Sequence, residues 1–180
     1  MSLKFVRFVP LLVAISLFMA SCGKEDLVQP GEKEEEITKP GTVDVVENNV
    51  DKNLLLELVN NVRAKGCNCN GTWMPPVAPV KWNVLLELAA AKHSVDMKDR
   101  KYFAHNSPTG STPQTRIKAA GFNYSLMGEN IASGPSKEEA VISGWLGSEG
   151  HCKNIMNAGF REMGVGRAAN LWTQVFGTSK

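Results

Sequence analysis

The chain has 180 residues, 43% of them hydrophobic, which is enough for one substantial core and too little for two domains of ordinary size. Lys and Arg number 20 against 18 Asp and Glu, but Lys4 and Arg7 supply the whole excess and the rest balances at 18 of each sign. That balance excludes the basic footprint of a nucleic-acid binder.

Taken in chain order, Lys4 and Arg7 precede an apolar stretch from Phe8 to Met19. The stretch is too short to span a bilayer and reads as a secretory leader, residues 1–21. Met19-Ala20-Ser21-Cys22 resembles the lipobox of bacterial lipoproteins, with Met19 where leucine is usual. The resemblance implies acylation at Cys22, which would anchor the chain to a membrane rather than let it span one; the alternative is an ordinary cleavage site with a chance cysteine. Residues 22–50 hold three lysines and eight acids, whereas residues 51–180 hold fifteen basic residues and ten acids. The first of these segments, with its Pro-Gly steps and Glu34-Glu35-Glu36, reads as a solvated acidic tether with too little apolar surface to order itself. Its Lys24-Glu25-Asp26 also resembles the export tag of some surface lipoproteins.

Folded-domain punctuation runs from Asp51 to Lys180. Leu54, Leu55, Leu58, Val59 and Val62 recur at helical spacing and stop at Gly66. After a proline-rich crossing, Asn83 caps a second helix running toward Met97 and Arg100. Thr112-Pro113 opens a third helix that Gly121 closes, and Ser136-Lys-Glu-Glu139 reads as a capping box for a fourth carrying Val141, Ile142 and Trp145. Met163–Arg167 and Leu171–Phe176 alternate about Ala169-Asn170, the pattern of a β-hairpin. Periodicity alone therefore predicts a mixed α and β domain.

Within it, His105, Glu129 and His151 lie in glycine-bounded or turn-like segments far apart in sequence, the raw material of a metal or acid/base site if folding gathers them. His93 falls beside the apolar stripe of its helix and reads as a satisfied, partly buried histidine. Asn130, Asn154 and Gln174 read as amides tying turns to strands, with Asn154 also a candidate for the cleft; Trp145, Trp172 and Phe176 read as core.

His93-Ser-Val-Asp-Met97, Tyr102-Phe-Ala-His105-Asn-Ser-Pro108, Gly128-Glu-Asn-Ile-Ala132, Trp145-Leu-Gly-Ser148-Glu-Gly-His151-Cys-Lys-Asn154, Met163-Gly-Val-Gly166 and Trp172-Thr-Gln-Val-Phe-Gly177 occur in the order of the bacterial branch of the CAP superfamily, which the chain resembles from about Leu54 to Gly177. The resemblance implies an α+β fold: a three-layer α-β-α sandwich around a small antiparallel sheet, with a cleft across one face. Similar proteins gather two histidines and two glutamates there, and some bind a divalent metal. Residue by residue, this carries over to His105, Glu129 and His151, while Ser148 stands where a fourth ligand, glutamate, occurs in eukaryotic members. Asn154 is the remaining polar candidate for the cleft.

Three roles fit that trio: hydrogen-bonded organisation of the loops, a metal site that would suit Zn2+, or catalysis by metal-activated water or by Glu129 as base. Two functions follow. One is a lipid-tethered module at the outer membrane or cell surface that captures an envelope or extracellular peptide, glycan or lipid. The other is a zinc-dependent hydrolase of peptide or ester bonds; the absent fourth acid favours binding. With Cys22 acylated, Cys67, Cys69 and Cys152 leave an odd thiol. Similar bacterial proteins pair the cysteine before the proline-rich segment with the one after Gly-His, which implies Cys69–Cys152 and a leftover Cys67.

Overall fold

The structure, a computed structural model, describes residues 47–180; the leader, Cys22 and the tether to residue 46 lie outside the described residues. Helix α1 (Lys52–Lys65) starts where the Asp51 carboxylate accepts the Leu54 N–H, and stops at Gly66, whose φ of 74° suits a residue without a side chain. The proline-rich crossing that follows carries more structure than its composition suggests. Strands β1 (Cys67–Cys69) and β2 (Thr72–Met74) form a small antiparallel hairpin, and β3 (Lys81–Trp82) joins the main sheet.

Helix α2 (Val84–Arg100) is capped as its sequence predicts, Asn83 Oδ1 accepting from Leu85 and Leu86. Helix α3 (Pro113–Ala119) has its Thr112 cap and its proline in the first turn. The next strand is longer than the local glycines foretold: β4 (Tyr124–Ser133) takes in the whole Gly128-Glu-Asn segment that the sequence suggested was a turn. Helix α4 (Glu138–Leu146) corrects the expected capping box, since Lys137 rather than Ser136 holds the N-cap position and no side chain caps it. Glu138 Oε1 instead accepts the backbone N–H of Asp51, so its carboxylate ties α4 to the start of α1. Helix α5 (Glu149–Ile155) follows at once, a short element that the glycines around it concealed. The hairpin of β5 (Glu162–Ala168) and β6 (Leu171–Ser179) turns at Ala169-Asn170 as predicted.

The main sheet has the order β3-β5-β6-β4; its three long strands are antiparallel, and only the two-residue β3 runs parallel to its neighbour. Alternation along β6 builds the layers. Trp172 and Phe176 point into the larger core with Leu55, Val59, Trp145, Ile155 and Phe160, under α1, α4 and α5. Val175 points the other way, to Leu86, Ala90, Ile117 and Phe122 beneath α2 and α3. This is the α-β-α sandwich. On the second face helix α2 lies against the strand backbone itself: a Cβ on Gly164 would come within 2.1 Å of the Glu87 nitrogen, and one on Gly166 within 2.1 Å of the Ala91 nitrogen. The Gly-Val-Gly of β5 is therefore a seat for a helix that presents Ala90 and Ala91.

Two buried charged groups fasten the layers. Arg63, fully buried, makes five hydrogen bonds to four carbonyls, those of Ala78, Ile155, Asn157 and Phe160. Burial, with Arg161 nearby, pushes its pKa down to about 10, still a cation at neutral pH. Glu87 collects Asn48, Trp82 and Lys52; burial alone would raise its pKa, but those partners hold it below the usual value. Asn48 also bonds Val165 O and the Arg167 N–H, so ordered packing begins three residues ahead of Asp51.

Candidate functional site

Register on the edge strand β4 decides which side of the sheet each polar side chain takes. Glu129 pairs with Val175 and Asn130 with Gln174, so the two side chains leave on opposite faces of the sheet. Glu129 falls on the α2–α3 side, its side chain only 2% exposed. His105 Nδ1 lies 2.8 Å from its Oε1 and Arg116 Nη2, from α3, 2.8 Å from its Oε2. Arg116 also donates to the backbone carbonyl of His105 at 2.9 Å, which closes a three-residue clamp. A carboxylate can only accept, so His105 donates through Nδ1–H, and its Nε2 is left for an outside partner on a ring that is 49% exposed.

On the other face Asn130 donates to Gln174 Oε1 and to the backbone carbonyl of His151, while Asn154 donates to Asn130 Oδ1 and to the Glu129 carbonyl. These amides attach α5 to the edge strand, as does Trp145 from α4, whose indole N–H bonds the Ile131 carbonyl. His151 is thereby carried to the same edge. Burial lowers its pKa and the electrostatic influence of His105 lowers it further, so the two imidazoles sense one another. Ser148 sits at the N-cap of α5 without bonding its backbone, and Glu149 is held outward by Lys153 at 2.6 Å.

The trio expected from the sequence is therefore only partly assembled: His105 and Glu129 are in contact, and His151 is an electrostatic neighbour. Among the described residues the group of three metal-capable side chains with all ligand atoms within 4.8 Å is Cys67, Cys69 and Cys152, not a His–Glu–His set. Cys69 and Cys152 are joined as a disulfide, and Cys67 is free. His93 is fully buried, bonded to Ala104 O and beside the Tyr102 hydroxyl, a structural histidine whose pKa burial depresses.

Residues 56–176 match the cysteine-rich secretory protein family, CAP. The chain belongs to that family. YkwD of Bacillus subtilis is 43% identical over 100 residues, 54% of this chain and 39% of that protein. The crystal structure of an extracellular protein containing an SCP domain from Bacillus anthracis superposes with a TM-score of 0.63 at 35% identity, over 71% of this chain and 40% of the other. An outer surface protein from Borrelia burgdorferi shares the fold, with a TM-score of 0.61 at 22% identity over 71% of this chain and 92% of that one. The chain thus spans well under half the length of the two Bacillus proteins.

The partner of Glu129 that sequence reasoning missed in this CAP domain is Arg116. It sits one turn into α3, where a basic residue on a short helix gives no signal. Only the strand register, which brings Glu129 beneath it, shows its role. A cavity of about 380 Å³ opens on its far side, between α2, α3 and the loop before them, lined among others by Asp96, Ser107, Thr109 and Thr115.

Proposed function

We propose that this is an exported CAP-domain protein, held at the cell envelope by a lipid on Cys22, whose edge-strand cleft binds an extracytoplasmic ligand through His105 and His151. The observation that carries the reading is the clamp on Glu129. Both carboxylate oxygens are engaged inside the protein, so Glu129 orients the His105 ring from behind instead of meeting the ligand itself. Export accords with the leader and with the B. anthracis relative, which is extracellular.

A divalent metal at this edge would draw on the two imidazoles and not on all three expected donors. The imidazoles of His151 and His105 are zinc-type ligands, whereas Glu129 could coordinate only by leaving Arg116. Bound there, zinc would supply an electrophilic contact for a carbonyl, carboxylate or phosphate oxygen of the ligand. Binding is favoured over hydrolysis because the other nearby carboxylate, Glu149, is paired with Lys153 on an exposed helix turn and leaves no second acid for proton transfer.

Zinc titration calorimetry on the full chain tests the cleft. Uptake in the wild type and its loss in both His105→Ala and His151→Ala, with unchanged circular dichroism, is the expected outcome; uptake retained in both variants refutes the shared site. Membrane fractionation tests the anchor, since Cys22→Ser should move the protein to the soluble fraction.

A further inference from the structure

The proposed cleft makes no use of the third cysteine. Cys67 and Cys69 alternate by two along β1, so both sulfurs leave the same face of the hairpin toward α5, where Cys152 waits. The free Cys67 Sγ lies 3.4 Å from Cys152 Sγ and 3.8 Å from Cys69 Sγ, in van der Waals contact with an intact disulfide. Cys69 and Cys152 are fully buried, while Cys67 is only partly so. Three sulfurs gathered this closely, one of them a thiol, are the reactants of a thiol–disulfide exchange.

We propose that these sulfurs form an exchange site in which Cys67 attacks Cys152 and the bridge migrates from Cys69–Cys152 to Cys67–Cys152. Cys67 gives its proton to solvent, its side chain turns from beside the bridge into line with the Cys152–Cys69 bond, and the thiolate pair forms the new bond to Cys152 Sγ. The bond between Cys152 and Cys69 breaks, its electron pair leaves on Cys69 Sγ, and that sulfur takes up a proton. One thiol and one disulfide stand on each side, so no oxidant or reductant is consumed. Cys152 is the shared partner because it is the nearer sulfur and because extended backbone sets residues two apart on a strand about 6.6 Å from each other, near the upper limit for a bridge. Burial raises the Cys67 pKa, which slows exchange by holding back the thiolate, and migration accelerates as the pH rises. In either state α5 stays tied to β1, with a two-residue difference in the attachment point next to His151.

The test uses the full chain carrying Cys22→Ser, held at pH 8.5, acid-quenched, denatured and alkylated at its free thiol. Fragmentation of the peptide that contains Cys67 and Cys69 then locates the label. Label on Cys69 as well as Cys67 is expected, with a sample kept at pH 4 labelled on Cys67 alone. Label confined to Cys67 at pH 8.5 overturns the proposal, and this readout needs no change in the triad. In a second chain with Cys69→Ser added, thiol counting after incubation in a glutathione redox buffer should approach zero as Cys67 pairs with Cys152. Two free thiols in that chain, if its circular dichroism is that of the parent, also overturn it.

Discussion

Arg63 and Arg116 both turn a guanidinium inward, and the difference between their partners separates the two sides of the sheet. Arg63 is fully buried and bonds only carbonyls, including those of Ile155 and Asn157 at the C-terminal end of α5. All its partners are backbone carbonyls, so the group serves as a fixed cross-tie among α1, α5 and the crossing segment. Arg116 bonds a carboxylate and the backbone of His105 at a solvent-facing edge, and it fixes an imidazole that still has a nitrogen to offer. The first arrangement gives stability; the second gives orientation at small cost to stability.

Breaking Arg63 should show the largest effect. Arg63→Ala leaves four carbonyls short of donors in the larger core, and we expect a loss of about 3–5 kcal/mol in denaturant unfolding. The disulfide ranks close behind. Cys69 and Cys152 are 83 residues apart, and in the chain-entropy view Cys152→Ser should cost about 4 kcal/mol by the same measurement. Arg116→Ala should cost less, about 2 kcal/mol, but lower zinc affinity roughly 10- to 100-fold by letting Glu129 and His105 drift; an unchanged affinity would show that the clamp does not orient the ring.

The smallest effect is on pH dependence. Folding holds His93 and His151 below their ordinary pKa, so the unfolded chain binds protons first as pH falls. Their contribution is complete above the ordinary histidine value and is lost as pH drops through it toward the lowered folded values. The unfolding midpoint should therefore be lower at pH 5.5 than at 7.5, with His151→Gln flattening part of that drop.

Helix starts and stops were legible where a local bond determines them: Asp51 and Gly66 for α1, Asn83 for α2, Thr112 and Pro113 for α3. Ser136 misled because the helix starts one residue later, with Lys137 at the N-cap, and Glu138 in its first turn is bonded to the start of α1, an interaction outside any local window. Gly128-Glu-Asn has the composition of a turn, yet it is strand, paired with Phe176, Val175 and Gln174 of β6; the glycine is there because a Cβ would meet the Phe160 ring at 2.7 Å. His105 and Glu129 could be picked out as polar residues in unusual settings, and they meet. Arg116 could not, since its partner is fixed by register between β4 and β6 rather than by spacing along the chain.

The outward carbonyls of Glu129 and Ile131 on β4 are already taken by the side chains of Asn154 and Trp145. A free sheet edge would invite an extended peptide, or another copy of the chain, to pair along it. Here two side-chain donors plug that margin at Glu129 and Ile131. A peptide laid along this stretch of β4 would find both carbonyls taken and would have to be read through its own side chains or its terminus.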